Sequence, residues 1–222
     1  ETPVSAPYRM DLALTYRCNN DCPHCYVARP MDYPEMETAQ WKAAIDQVWE
    51  VGIPHICFTG GEATLHPDLP ELVAYAEGKG IVTGLLTNGR RLSDTGYVQT
   101  LAEAGLDHVQ ITLESHDATI HDEMVAARGA WQDTVDGIGN TVAASIYTTT
   151  NTTLTRQNVP VIEDTVSFIA RLGVDSFACN SLIYAGRGQT VGTGFREGEL
   201  APILERVREA ADRHSLRLIW YT

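Results

Sequence analysis

Along this chain, stretches that alternate apolar and polar residues are followed again and again by stretches carrying an apolar stripe at helical spacing. "MDLALTY" (10–16) sets Met10, Leu12 and Leu14 against polar or small neighbours, the period of a strand. "TAQWKAAIDQVWEVG" then places Trp41, Ala44, Ile45, Val48 and Trp49 on one helical face, with Thr38 positioned to cap the helix and Gly52 to end it. Further strands are predicted at 55–59, 82–87, 108–113, 147–153 and 177–183, trailed by helices at about 67–78, 94–104, 131–144, 160–172 and 199–214. Six βα units in strict alternation imply a parallel sheet covered by helices. With a seventh strand on offer at 216–220, the count suits a partial (β/α)6 TIM-like barrel better than a closed eight-fold one, which takes roughly 250 residues.

The 222 residues are 44% hydrophobic and 20% charged, enough for one well-buried core, so residues 1–222 are expected to form a single domain. Sixteen Lys and Arg stand against 29 Asp and Glu, a net charge of −13. That balance repels phosphate backbones and anionic lipid, so neither nucleic acid nor membrane is expected as a partner. No apolar run approaches the roughly 20 residues of a bilayer span, and the start carries no charged-then-apolar signal. The expectation is a soluble, cytoplasmic protein. The chain begins at Glu1 and stops at "LRLIWYT", and both ends read as trimmed from a longer protein.

In parallel α/β folds the working groups gather where strands end and loops begin. The polar motifs fall there: "CNNDCPHC" (18–25) after the first strand, "TGGEAT" (59–64) after the second, "TNGRR" (87–91) after the third and "LESHD" (113–117) after the fourth, with Asn151 late in the fifth and Asn180 and Ser181 in the sixth. Cys18, Cys22 and Cys25 crowd three of five cysteines into eight positions, poor spacing for disulfides and good spacing for a metal. Two readings fit. A structural zinc needs a fourth ligand such as His24 or His66, but no second ligand pair follows elsewhere in the chain. An iron–sulfur cube held by three cysteines leaves one iron open for a substrate or cofactor.

Other residues have plainer readings. Cys57, between Ile56 and Phe58, reads as a small buried hydrophobe, and Cys179 as one lying nearer the active rim. His66 is expected in solvent at a helix start, and His116 and His121 in a surface loop. Trp41, Trp49 and Trp131 fit core-facing stripes, and Tyr147 with the Thr148–Thr150 run reflects strand propensity. "GRGQTVGTGFREG" (186–198) is an exposed connection or, alternatively, a lid.

Cys18-x3-Cys22-x2-Cys25 behind a first strand, with Tyr26 directly after it and Gly60-Gly61-Glu62 after the second strand, resembles the radical S-adenosylmethionine (radical SAM) superfamily. "TNG" at 87–89, "TLESHDATIHDEMVAARGAW" at 112–131 and "TNTTLTRQN" at 150–158 resemble its peptide-maturing SPASM and twitch branch. The resemblance implies a [4Fe-4S] cluster on Cys18, Cys22 and Cys25, its open iron chelated by the methionine end of SAM. It implies that Gly60, Gly61 and Glu62 receive the methionine ammonium and that His24 lies against the adenine. Thr112 and Glu114 stand where the family has a "SLD" segment, Arg128 is a partner for the SAM carboxylate, and Asn151 faces the cofactor from the fifth strand. Asn88, with Gly89, is either a simple turn or part of the cofactor site.

The implied chemistry is reductive cleavage of SAM to a 5′-deoxyadenosyl radical that abstracts hydrogen, fed by an external electron donor of the ferredoxin or flavodoxin type. The implied substrate is a peptide or a small-molecule cofactor precursor. Tetrapyrrole side-chain modification and nucleotide cyclisation of the molybdenum-cofactor type are the alternative enzymes, and a zinc-stapled α/β binding module is the alternative of another class. Ala63 stands where the family often has Pro, and no cysteine follows Cys179 to hold an auxiliary cluster unless the native chain continues past Thr222.

Overall fold

A computed structural model describes residues 6–27 and 34–221. Seven strands form one sheet, β1 (Arg9–Thr15), β2 (His55–Gly60), β3 (Val82–Thr87), β4 (His108–Thr112), β5 (Tyr147–Leu154), β6 (Ser176–Ser181) and β7 (Arg217–Tyr221). They lie in chain order and every neighbouring pair is parallel. The helices are α1 (Thr38–Glu50), α2 (Leu69–Glu77), α3 (Thr95–Glu103), α4 (Ala118–Val125), α5 (Ala130–Ala143), α6 (Ile162–Arg171) and α7 (Glu197–Arg213). The predicted α/β partial barrel is what forms, with the seventh strand added to the six βα units. Strands β1 and β7 are its two edges, and the sheet curls enough for the Tyr221 hydroxyl on β7 to reach Gln110 Oε1 on β4 at 3.2 Å. Among the described residues, no helix is long and apolar enough to cross a membrane.

The period-two pattern sorts the two faces of the sheet. Leu14, Ile56, Phe58, Leu85, Val109, Ile111 and Phe177 are buried in the core between the strands and the helix layer. Residues one position out of phase, among them Thr59, Leu86, Gln110, Asn151 and Asn180, line an inner cavity. Cys179 belongs to the helix-facing core, away from that cavity. Strand β5 is the exception to the apolar rule, because its helix-facing positions are threonines. Thr148, Thr150 and Thr152 are fully buried. Thr148 Oγ1 donates to the Ile146 carbonyl at 2.8 Å and Thr152 Oγ1 to the Leu113 carbonyl at 2.6 Å, whereas Thr150 Oγ1 is buried without a partner among the described residues.

Several local expectations are corrected. Helix α1 is capped by Glu37, whose backbone N–H donates to Gln40 Oε1 at 2.9 Å; Thr38 instead hydrogen-bonds Asp68. Trp41 is buried on the α1 stripe, but Trp49 is 51% exposed, because Val48 takes the inward position and the indole lies along the surface, donating to the Lys79 carbonyl at 3.0 Å. The surface loop expected around His116 and His121 ends early: His116 does precede the helix, but Asp117 accepts from the N–H groups of Thr119 and Ile120 and caps α4, which starts at Ala118. His121 on that helix is therefore buried rather than on the surface. His66 is buried too, its Nδ1 accepting from the Asp68 N–H at 3.3 Å.

The two buried threonines make opposite predictions. Thr150→Val removes a hydroxyl that burial has stripped of water without return and should raise the unfolding free energy by about 1 kcal/mol. Thr152→Val strands the Leu113 carbonyl and should lower it by about 1–2 kcal/mol. Urea unfolding of the two variants against the parent chain reads both.

Candidate active site at the carboxyl ends of the strands

The site is assembled by three successive strand ends that grip one another. Strand β1 carries a register irregularity between Ala13 and Thr15 that brings Thr15 opposite Gly60. There the Gly61 N–H donates to the Thr15 carbonyl at 2.7 Å and the Glu62 N–H to the Arg17 carbonyl at 2.8 Å. Both glycines are required by this approach. A Cβ on Gly60, at φ +147°, would stand 2.2 Å from the Thr15 oxygen, and one on Gly61 would stand 2.4 Å from the Arg17 oxygen. The backbone leading into Cys18 is thus docked directly on the Gly-Gly segment.

Glu62 fixes the next strand end. Its carboxylate is 2% exposed. Oε1 accepts from the Thr64 N–H at 3.1 Å, the Thr64 hydroxyl at 2.7 Å and the Thr87 hydroxyl at 2.6 Å, while Oε2 accepts from the Asn88 N–H at 2.7 Å. Four donors satisfy a charge that burial would otherwise penalise heavily. Asn88 in turn donates from Nδ2 to Asn19 Oδ1 at 2.7 Å, and Arg90 donates to the Asn19 carbonyl at 2.7 Å, both inside the cysteine loop. The far side of that loop is held by Asp21, whose N–H reaches the Val125 carbonyl at the end of α4.

The stretch that follows β6 closes over the loop from the other direction. Within it, Gly186–Gln189 form a short 3₁₀ turn. The Arg187 N–H donates to the Cys25 carbonyl at 2.9 Å, and its guanidinium pairs with Asp21 at 2.7 Å. A Cβ on Gly186, at φ +52°, would stand 2.7 Å from the carbonyl oxygens of both Cys25 and Tyr26. This part of 186–198 is therefore packed on the cysteine loop and is not the exposed connection expected from its glycines.

A cavity of about 460 Å³ lies beneath this arrangement. Cys18, Cys22, His24 and Cys25 line it from the loop, and Gly60, Gly61 and Glu62 from the end of β2. Asn88, Thr112, Glu114 and Asn151 line it from the ends of β3, β4 and β5. Of the residues that the resemblance assigns to the cluster and SAM, Arg128 alone lies outside the lining; it is exposed just before α5. Sequence reasoning gave no role to Thr153 or Ile183 and used Tyr26 only as part of the cysteine motif; all three also line the cavity. For Thr153 the signal was available, since it follows Asn151 by the two positions that return a strand to the same face.

Two buried polar groups define the cavity wall. Glu114 Oε1 pairs with His24 Nε2 at 3.1 Å, and Oε2 accepts from the Thr153 N–H at 2.9 Å. Burial alone would lower the His24 pKa, but the hydrogen bond and charge of Glu114 together outweigh it and the net shift is upward. Asn151 donates from Nδ2 to Asn180 Oδ1 at 3.0 Å, which leaves its buried Oδ1 without a partner among the described residues. An acceptor held in this way is complementary to an ammonium or hydroxyl of a bound molecule. Burial, reinforced by Glu114 and the neighbouring cysteines, pushes the Cys22 thiol up to about 12.

Tetrahedral zinc at Zn–S of about 2.3 Å requires sulfurs roughly 3.8 Å apart. Cys18, Cys22 and Cys25, alone or with His24 or His66, do not form a set whose ligand atoms all lie within 4.8 Å of one another. Among the described residues the loop is therefore not a preassembled tetrahedral set.

Fold and site together define a radical SAM core, and the comparisons agree. The model of the Radical SAM superfamily matches residues 12–169, and the chain belongs to that superfamily. It is an enzyme family that uses a [4Fe-4S] cluster and SAM. The chain is 35% identical over 181 residues to an AdoMet-dependent heme synthase of Oleidesulfovibrio alaskensis, covering 81% of this chain and 46% of that one. It is 32% identical over 184 residues to the PqqA peptide cyclase of Rhodopseudomonas palustris, covering 81% of this chain and 48% of that one. The chain thus spans about half the length of these curated relatives. Crystal structures of Streptococcus suis SuiB, one bound to its precursor peptide SuiA and one to S-adenosylmethionine, superpose with a TM-score of 0.86 at 19% identity. They cover 98% of this chain and 49% and 51% of those chains.

Two outcomes follow from this geometry. Glu62→Ala leaves four donors without their acceptor and should cost about 3 kcal/mol or more of unfolding free energy in urea, with faster proteolytic nicking around Asn19 as the loop loses its brace. In metal-free protein, a raised Cys22 pKa means that the neutral thiol dominates at neutral pH, so Cys22 should alkylate slowly with iodoacetamide and its rate should still be climbing far into the alkaline range. Peptide mapping of the labelled cysteines checks this.

Proposed function

We propose that the chain is a single catalytic core in which Cys18, Cys22 and Cys25 hold a [4Fe-4S] cluster and the cavity below them takes SAM. The observation that carries this reading is the convergence on one cavity of the cysteine loop, the Gly-Gly-Glu segment and the Asn151 Oδ1 that has no partner among the described residues. When bound and reduced by an external donor, cluster and SAM supply a 5′-deoxyadenosyl radical able to take hydrogen from an unactivated carbon.

The chain's own residues bind and orient. Gly60 and Gly61 keep the backbone close enough for an amino acid ammonium to approach it, and Glu62 supplies negative charge there while its oxygens hold the strand ends in place. Thr112 and Asn151 offer a hydroxyl and a carbonyl oxygen to the ribose or methionine end. His24, locked by Glu114, walls the side expected to receive the adenine. The carboxylate partner proposed at Arg128 would have to reach in from outside the present lining. The buried wall residues and the 3₁₀ turn over Cys25 exclude water from the reacting carbon.

We infer a peptide substrate, in keeping with the similarity to PqqA peptide cyclase and to SuiB, which was solved with a precursor peptide. The rim supports it, since Tyr26 and Ile183 at the cavity mouth and the neighbouring Tyr184 are 54%, 46% and 60% exposed. A tetrapyrrole is the second reading, favoured by the 35% identity to the heme synthase.

Anaerobic reconstitution tests the proposal. The chain should carry about four iron per molecule and form 5′-deoxyadenosine from SAM on reduction. Cys22→Ala should lose the iron while keeping its strand and helix circular dichroism. A chain that stays colourless and free of iron after reconstitution, or iron content that survives Cys22→Ala, would show the assignment to be wrong.

A further inference from the structure

At the opposite end of the barrel, three side chains unrelated to the cysteine loop converge. His55 opens β2, Cys57 lies two residues on, and His108 opens β4. All three have the phase of the cavity-lining Thr59 and Gln110, so they face the barrel interior at the amino ends of its strands. His55 Nε2 lies 2.8 Å from His108 Nε2, and Cys57 Sγ lies 3.5 Å from His55 Nε2 and 4.0 Å from His108 Nε2. Among the described residues this is the one set of three or more His, Cys, Asp or Glu whose ligand atoms all fall within 4.8 Å.

The convergence has to be built, because β2 and β4 are not neighbours. Strand β3 runs between them, and side chains two strands apart are separated by roughly 10 Å of sheet. The strand in the middle carries glycine at the crossing point: Gly84 pairs with Cys57 on one side and His108 on the other. A Cβ there would stand 2.3 Å from His108 Cε1 and 2.6 Å from Cys57 Sγ. The missing side chain is the space in which imidazole and thiol meet.

We propose that His55, Cys57 and His108 form a Cys-His₂ site for a single divalent cation of the zinc class, with the fourth position open to water. Tetrahedral bonds of about 2.0–2.1 Å to nitrogen and about 2.3 Å to sulfur require N···N near 3.3 Å and N···S near 3.6 Å. The two N···S distances, 3.5 and 4.0 Å, stand on either side of the required value, and the 2.8 Å N···N contact is a hydrogen bond that has to open by about 0.5 Å as an ion enters between the rings. The donor set of two imidazoles and one thiolate suits zinc or cobalt and not calcium or magnesium. Both histidines are partly exposed, which gives an ion a path in, and Cys57 is buried behind them. The nearby cation, Arg9, is tied to Asp11 at 2.6 Å, so that pair presents no net charge to the site. A bound ion would staple β2 to β4 beneath β3, independently of any cluster at the other end.

Cobalt(II) alone, titrated into the full chain with Cys18, Cys22 and Cys25 all replaced by Ala, tests the proposal. One cobalt should bind per chain, with the thiolate-to-cobalt charge-transfer band and the intense visible bands of tetrahedral coordination, and zinc should displace it. Adding Cys57→Ser should abolish the charge-transfer band, and adding His108→Ala should weaken binding by at least about tenfold. If the triple replacement does not fold, metal analysis of the cluster-bearing chain replaces the titration: His108→Ala should lose zinc and keep its iron. Absence of cobalt binding, cobalt bands that survive both changes, or zinc content unaffected by His108→Ala would overturn the site.

Discussion

The carboxylate of Glu62 is the contact on which the rest of the site depends. It is a buried charge without a basic partner among its hydrogen bonds, satisfied by four donors from the ends of two strands. Such a group is tolerated only when donors compensate its burial, so its position dictates theirs. Its backbone N–H holds Arg17 one residue before the first loop cysteine, and its side chain orders the Asn88 turn, whose amide holds Asn19 one residue after it. Cys18 is therefore clamped between two contacts that originate in a single residue. The Gly-Gly-Glu segment is a fastening as much as a binding surface, which explains why its two glycines tolerate no side chain while its charge faces the protein's own donors.

This arrangement gives the cysteine loop its rigidity without regular structure of its own. Its start rests on β2, its middle on β3 and the end of α4, and its close under the turn that follows β6. A loop tied at that many points loses little further entropy when a ligand is bound, the general condition for a preorganised centre. Only the sulfurs and the wall of the cavity are left to respond.

Much of this was legible because two periodicities carry it. Period-two alternation in "MDLALTY" and its successors located all seven strands to within a residue or two, and βα alternation alone implied the parallel sheet. The strand ends then placed the polar motifs on one rim. What escaped depended on contacts distant in sequence. Helix α4 is only eight residues long and begins at an Asp cap that also reads as a turn, so His121 was misjudged with it. Trp49 fits the helical stripe as well as Trp41 does, but the neighbouring Val48 fills the inward position. His66 follows the 3₁₀ turn that Glu62 starts, and Gly186 and Gly188 mark close approach to the carbonyls of Cys25, Tyr26 and Ile183, which resembles flexibility when only sequence is in view. Cys57 was correctly read as buried. That two histidines meet it could not be seen, since one of them comes from a strand 51 residues away in sequence across an intervening glycine.

Strand polarity gives the barrel two chemically distinct ends. Carboxyl ends run into long loops, where motif residues can accumulate with few packing constraints. Amino ends follow the helices through short connections, and what stands there is fixed by the sheet itself. A ligand set at that end has to come from residues already facing the lumen, and it can span two strands only where the middle one has no side chain. His55, Cys57 and His108 around Gly84 meet both conditions. Among the described residues the sheet runs from β1 to β7 with no pairing between those two edges. A tie between β2 and β4 would hold curvature in the half of the sheet that carries the cysteine loop, the Gly-Gly-Glu segment and the Asn88 turn, the three strand ends whose relative positions the site depends on.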